Sequence, residues 1–567
     1  MRKLAILFLL IAFSVNKTIA QTSESKLQLE FSELNAWTSS SSVAIPGNVS
    51  KEPLAARTKT LTSQLNPDQS FDMKISYAPD GMDVWGAWYT EQNKFNTFNF
   101  THWQYVDTFI WFAGKISIPS KLWTDTAHKN GVKIIGTVFP NDKEMNFLIQ
   151  KDAKGKFIAA QKLIEIAKYY GFDGWFFNVE SSVSPSVASQ FMEMLTQLEA
   201  TKSKGMEIHW YDAMTPNGEI SYQNALNNAN ASLLQNGKIR VSDAFFTNYW
   251  WGSDQITSSV TTAGNIKRSA FDIYTGADVW PKRTGAQALF TKSPDYTWIT
   301  QLFNNYGPAG NAGPVNSPKT SLGLFAMNLT YNSGLTNYNT NADDHASFYK
   351  TESRIFCGDD NNVAVTDPDG IHIWKGIGYY VPVRTVINKL PFKTDFNVGQ
   401  GKIMATNGKI IARNWSNMGK QDILPSWQWA VSSADLNANT LRPSYYFDDA
   451  YNGGSSIQFA GNLANDVTVK LFQTKLTITP KTKFSLTYKY PAAGNTNARL
   501  ALYFSDNLIK PVYLNIDKAS GSEWNTSVFD LSLYKGREIA VIALNFHTGT
   551  PLNNYELYLG QFNIFNK

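Results

Sequence analysis

Between residues 80 and 330, eight short runs of β-branched and aromatic residues recur, separated by stretches able to hold helices. No other feature of the chain restricts its fold as strongly. The runs are 82–88, 106–113, 132–139, 175–180, 206–214, 244–251, 273–280 and 322–329. Most are continuously apolar rather than alternating, as expected of strands buried on both faces of a parallel sheet. Helical spacing appears between them. In 156–169, Ile158, Leu163, Ile164, Ile166 and Ala167 share a face. In 185–200, Val187, Phe191, Leu195 and Leu198 do so, with Ser184 as N-cap and Pro185 at the first helical position. Eight alternating β/α units predict an α/β protein built on a (β/α)8 barrel over 71–385.

After residue 385 the pattern changes to short alternating runs separated by turn residues. The segments 467–472, 484–490, 500–504, 512–516, 539–546 and 556–565 read as antiparallel strands. They predict an all-β jelly-roll sandwich over 386–567, expected to buttress the barrel. Residues 21–70 are rich in Ser, Thr, Gln and Lys without periodicity, which predicts an N-terminal extension that packs on the surface or stays mobile.

The first 20 residues carry basic Arg2 and Lys3, an apolar run and the small pattern Thr18-Ile19-Ala20, the features of a signal peptide. They predict a secreted or periplasmic protein, with no cysteine placed for a lipid anchor and no membrane insertion. Without Arg2, Lys3 and Lys17 the formal net charge of +5 falls to +2. So nearly neutral a protein has no electrostatic case for binding nucleic acid or an anionic membrane. The single cysteine, Cys357, excludes an internal disulfide. No Gly-rich phosphate loop, no His-Glu-x-x-His and no Gly-x-Ser-x-Gly elbow occur. The six histidines lack metal-ligand spacing, His345 beside Asp343-Asp344 coming nearest. No metal or other cofactor is expected.

In a (β/α)8 barrel the reacting groups stand at the C-terminal ends of the strands. The fourth run ends in Asn178-Val179-Glu180. Residues two apart on a strand face the same way, so an amide and a carboxylate arrive together at the barrel mouth. Two readings of Glu180 stand at this point: a solvated strand-end acid beside Ser181 and Ser182, or a proton donor. The fifth run closes on Tyr211 and Asp212, and the sixth on Asn248-Tyr249-Trp250-Trp251. A Trp pair there is either core packing or a platform for the C–H faces of a sugar. Trp111 in the second run and Trp280 at the end of the seventh are further aromatic candidates.

A two-carboxylate glycosidase needs an acid and a nucleophile at a set separation. Here the partner of Glu180 is an amide, which points to substrate assistance. The sugar's own 2-acetamido oxygen attacks its anomeric carbon, Asn178 accepts from the acetamido N–H, and Tyr211 donates to the acetamido oxygen. Glu180 first gives a proton and then takes one from water. A pocket walled by Trp and Phe is expected to suit it to that task by desolvation.

The segment Gly171-Phe172-Asp173-Gly174-Trp175-Phe176-Phe177-Asn178-Val179-Glu180 resembles the catalytic strand of the endo-β-N-acetylglucosaminidases of glycoside hydrolase family 85. Trp123-Thr124-Asp125-Thr126-Ala127-His128, Trp210-Tyr211-Asp212, Tyr222-Gln223-Asn224 and Phe245-Phe246-Thr247-Asn248-Tyr249 are similar in the same order, as are stretches out to about residue 460. The resemblance implies N-glycans and N-glycoproteins as substrates, cut at the GlcNAc-β1,4-GlcNAc core with retention through an oxazolinium, leaving one GlcNAc on the protein. It implies Glu180 as acid/base, Asn178 and Tyr211 at the acetamido group, and Trp250 near the cleavage site. Asp212, Tyr222, Asn248 and Tyr249 complete the candidate substrate-binding set. Tyr222 stands where many relatives carry Trp, and Leu329 where Trp is common. Hydrolysis of a chitin-like or peptidoglycan β-GlcNAc polymer is the alternative activity, and a non-catalytic glycan-binding protein the alternative class.

Overall fold

Eight parallel strands close into a ring. They are β1 (Ile75–Ala78), β2 (Thr108–Ile110), β3 (Lys133–Phe139), β4 (Gly174–Phe177), β5 (Glu207–Tyr211), β6 (Ala244–Phe246), β7 (Ile273–Asp278) and β8 (Ser321–Phe325). Each pairs in parallel with its successor, and β8 pairs back onto β1 from Leu322↔Ile75 to Phe325↔Ala78. The computed structural model describes residues 27–60, 62–66, 69–82, 90–95, 97–278, 296–303, 318–328, 345–364 and 374–567. The helices α1 (Lys121–Lys129), α2 (Ile158–Tyr170), α3 (Pro185–Thr201), α4 (Ser253–Asn265) and α5 (His345–Cys357) follow strands of this ring. At the start of α3 the Ser184 side chain accepts from the Val187 N–H and Pro185 takes the first turn, as the sequence predicts.

The barrel expectation holds with one displacement. The first strand is the short buried Ile75–Ala78, not 82–88. It is bounded by Lys74 and Pro79, and four residues suffice because β2 and β8 satisfy it on both edges. Met82 lies in the turn beyond, and residues 83–88 fall outside the described residues.

Two-residue periodicity sorts the strand side chains. From β2 onward, Phe109 and Trp111 face outward onto Trp123 of α1, with ring centroids 5.4 and 6.1 Å apart. Ile110 and Phe112 face the interior cluster with Phe176, Tyr211, Phe246 and Tyr249. Trp111 is therefore core, 2% exposed, and is not brought to the barrel mouth as expected. The interior is tight: a Cβ on Gly323 would lie 2.3 Å from the Phe246 ring. Only a residue without a side chain leaves room there for Phe246.

The N-terminal segment is a strap rather than a surface leader. Gln28–Leu29 pairs antiparallel with Lys115–Ser117, which pairs antiparallel with β3. Phe31, Leu34 and Trp37 are buried. Arg57 donates to the carbonyls of Trp103, Val106 and Asn130 at 2.6–2.9 Å. Polar composition hid this, because the strap is held by a few spaced aromatics and side-chain hydrogen bonds rather than by periodicity.

One clasp of the strap is titratable. His128 of α1 meets the Asp173 carboxylate at 2.8 Å and the Glu52 carbonyl at 2.7 Å. Burial pulls its pKa down, but the Asp173 hydrogen bond and charge, with the Glu52 carbonyl, carry it above the ordinary value. A raised folded pKa contributes stability that is complete below about pH 6.5 and is lost as pH rises through the folded value. In chemical denaturation, His128→Gln is expected to cost more stability at pH 6 than at pH 9. An equal cost at both would show that the imidazole is not charged in the fold.

Two large antiparallel sheets form the C-terminal sandwich, preceded by the separate hairpin of Gln400–Thr406 and Lys409–Ser416. One orders Arg442–Tyr446, Ser456–Leu463, Leu552–Asn566, Thr482–Lys489 and Trp524–Asp530, with Phe392–Thr394 also on Leu552–Asn566. The other orders Ala430–Ser433, Val467–Thr477, Glu538–Phe546, Ala498–Phe504 and Asn507–Asn515. Their inner faces meet at pairs such as Phe459–Phe546, centroids 5.0 Å apart. Buried glutamines join this sandwich to the barrel. Gln421 accepts from Trp103 Nε1 at 2.7 Å and donates to the Phe100 carbonyl, while Gln428 donates to the Thr101 carbonyl. Gln400 both accepts from and donates to the Thr97 backbone. A carboxamide that makes both kinds of bond fixes orientation as well as contact. Among the described residues no helix is long and apolar enough to cross a membrane.

Candidate active site

A cavity of about 390 Å³ opens at the C-terminal mouth of the ring. The parity of β4 carries straight into it. Trp175, Phe177 and Val179 pack outward in the main core, while Phe176, Asn178 and Glu180 line the cavity. The Asn178 backbone N–H still bonds the Val138 carbonyl at 3.0 Å, so the strand continues far enough to hold the amide. Asn178 is 3% exposed, and its Oδ1 has no hydrogen-bond partner among the described residues. Glu180, one pleat further out, is exposed, and its Oε1 accepts from the Tyr222 hydroxyl at 3.2 Å. Among the described residues the expected wall is met by Phe and not by Trp. The nearest aromatics of the cavity are Phe and Tyr: Phe112, Phe139, Phe176, Tyr211, Phe246, Tyr249 and Phe325.

Tyr211 closes β5 and points into the cavity, where its hydroxyl donates to Asn248 Oδ1 at 2.9 Å, so its single proton is engaged there and not offered to an acetamido oxygen as the sequence led one to expect. Burial, and then the Glu180 charge, push its pKa well above the ordinary value, so the phenol stays protonated. Tyr222 lies in the following loop, 42% exposed, its pKa pushed up to about 12 by desolvation and then by Glu180. It therefore remains a donor to the carboxyl over the whole working pH range.

Asp212 was expected at the substrate and is elsewhere. The parity that groups Asn178 with Glu180 separates Tyr211 from Asp212, which turns away from the cavity. It is 2% exposed and accepts from the backbone N–H groups of Gln223, Asn224 and Asn248 and from Asn230 Nδ2. Burial raises its pKa to about 7 against the pull of these four donors. Its place is to pin the loops after β5 and β6 to each other.

After β6, Asn248 is buried beside Tyr211, and Tyr249 lines the cavity, stacked 5.7 Å from Phe325. The Trp pair splits. Trp250 is 44% exposed next to Tyr249, whereas Trp251 packs on Trp298 at 5.0 Å. Trp280 and Leu329 lie outside the described residues, as do Asp343 and Asp344. Among the described residues no group of three or more His, Cys, Asp or Glu could hold a metal ion.

Sequence reasoning missed Asp80, which lines the cavity beyond β1. Its backbone exchanges two hydrogen bonds with the Asn328 side chain, at 2.7 and 3.0 Å. Pro79-Asp80-Gly81 reads as an ordinary turn, and only the closed ring brings it to the same cavity as Asn178 and Glu180. Asn224 was also passed over as a site residue. Its left-handed φ of +58° is the signal that a turn was under constraint.

The description Glycosyl hydrolase family 85 matches residues 83–404, more than half of the chain. A curated relative from Mus musculus, named cytosolic endo-beta-N-acetylglucosaminidase, is 27% identical over 83% of this chain and 57% of its own length. The Homo sapiens protein of the same name is 26% identical over 81% and 56%. The chain thus spans little more than half the length of these relatives. The glycoside hydrolase domain of Endo-D from Streptococcus pneumoniae R6 superposes with a TM-score of 0.79 at 27% identity, covering 95% of this chain and 82% of that one.

These names correct one expectation. Six curated relatives, animal and plant, are all named cytosolic. They overturn the secreted or periplasmic placement and point to the cytosol instead. Basic residues followed by an apolar run are a composition, which describes how a segment partitions and not which route a chain takes.

Proposed function

The chain belongs to glycosyl hydrolase family 85, and from that premise we propose that it is an endoglycosidase hydrolysing the GlcNAc-β1,4-GlcNAc core of N-linked glycans with retention, leaving one GlcNAc on the protein. The observation that carries the reading is the shared face of Asn178 and Glu180 in the cavity. A buried carboxamide whose oxygen has no partner among the described residues lies below an exposed carboxyl group.

In this reading the GlcNAc to be cleaved enters with its acetamido group toward Asn178. Asn178 Oδ1 accepts from the acetamido N–H, whose acidity grows as the acetamido oxygen bonds to the anomeric carbon. Glu180 protonates the departing glycosidic oxygen. Tyr222, hydrogen-bonded to Oε1, holds the carboxyl group in one rotamer. After departure the Glu180 carboxylate takes a proton from water, which opens the oxazolinium at the anomeric carbon and restores its configuration. Tyr211 and Tyr249 form the wall behind the acetamido group, and exposed Trp250 offers a ring to the sugar face.

Mass spectrometry of a high-mannose and a complex-type N-glycoprotein after incubation with the protein tests this. The expected product is the polypeptide carrying a single GlcNAc. Intact glycoproteins alongside cleavage of a chitin oligomer would instead establish the polymer hydrolase, and glycan binding with no cleavage of either would establish the binding protein.

A further inference from the structure

Asn248 offers two ends, and the structure settles which faces Tyr211. Its Nδ2 donates to Asn224 Oδ1 at 2.8 Å, so its Oδ1 is the atom left to accept from the Tyr211 hydroxyl. Asn224 Oδ1 is in turn held as an acceptor by the Trp250 backbone N–H at 3.0 Å. A backbone N–H cannot reverse its polarity, so it sets the direction of every bond downstream. The far end is fixed as firmly. The Asn224 backbone N–H donates to Asp212 Oδ2 at 2.6 Å, and the residue sits at a φ of +58°. Asp212 also accepts from the Asn248 backbone N–H, so one buried carboxylate holds both asparagines.

We propose that Asn224 and Asn248 are positioning residues for the acetamido pocket, fixing through a one-way chain of hydrogen bonds the position and proton direction of the Tyr211 hydroxyl. This rests on the endoglycosidase reading and adds to it. Neither asparagine lines the cavity, so an effect on turnover passes through what they hold: the Tyr211 hydroxyl at one end and the Trp250 backbone at the other, and only the first is lost in a Tyr211→Phe background. The chain also explains a mid-loop asparagine in a strained conformation. A glycine there would keep the backbone but lose the carboxamide that orients Asn248.

Asn224→Gly is therefore the informative variant, since it preserves the left-handed turn. It is expected to lower kcat on an N-glycopeptide roughly tenfold, about the worth of one oriented hydrogen bond, with KM little changed. Tyr211→Phe is expected to cost a similar factor. In the Tyr211→Phe background, Asn224→Gly should then cost less than about twofold, because its route through the hydroxyl is gone. Melting temperatures of all four proteins check folding. The same cycle is read on the Kd of a GlcNAc thiazoline, a stable mimic of the bicyclic intermediate, where the coupling should recur. If Asn224→Gly costs its full factor in both backgrounds, the effects are independent and the proposal is overturned. A wild-type protein that binds the thiazoline but cleaves no N-glycan would sink the substrate reading, while the binding cycle still decides the relay. A protein that neither binds nor cleaves overturns both.

Discussion

Glu180→Gln is expected to lower cleavage of an N-glycoprotein by roughly a thousandfold, within the span of a positioned general acid, while glycan affinity changes by no more than a few fold. Glutamine is nearly isosteric, and its Oε1 can still accept from the Tyr222 hydroxyl that lies 3.2 Å from Glu180. What it lacks is a proton to give to the leaving oxygen and a basic oxygen to take one from water. The side chain is exposed at the mouth, so no packing is lost and the folded stability should not change. Released glycan measured by mass spectrometry, set beside affinity measured by calorimetry, separates the two effects. Activity within tenfold of the parent protein would remove Glu180 from the acid role.

Asn178→Ala is expected to reduce kcat/KM on the same substrate by about 10²–10³-fold, the usual consequence of deleting one pre-aligned polar group at a site of developing charge. The loss should be several-fold smaller when the reaction starts from a preformed sugar oxazoline, whose acetamido oxygen is already bonded to the anomeric carbon. Stability should move the other way or not at all. The Asn178 carboxamide is buried with its oxygen unpartnered among the described residues. Such a group costs a fold about 1–3 kcal/mol, so its removal should leave the melting temperature unchanged or higher. A structural asparagine would behave oppositely, with a lower melting temperature and equal losses from glycan and oxazoline. That pattern would refute the acetamido role.

How much of this was legible in the chain depended on the range of the interaction concerned. The central element was visible because it is local. Gly174 to Phe177 is apolar throughout, so it reads as a strand buried on both faces. Strict two-residue parity then puts Phe176, Asn178 and Glu180 on one side. The same parity, applied to β2 and β5, would have turned Trp111 outward and Asp212 away from the cavity. The start of α3 was equally local, with Ser184 and Pro185 announcing it.

By itself, then, the sequence determined that a parallel ring forms and that an amide and a carboxyl group leave its fourth strand together, because strand burial and side-chain parity are properties of a few consecutive residues. Tertiary structure alone decided what faces them. Closing the ring through β8 onto β1 brought Asp80 into the cavity that Asn178 and Glu180 line. One buried carboxylate, Asp212, drew loops after two different strands together and set Asn224 and Asn248 behind Tyr211. The N-terminal strap became part of the barrel wall through pairing with a segment nearly 90 residues away. Such contacts join residues far apart in the chain, and their free energy depends on the whole ring having closed, so no local pattern announces them.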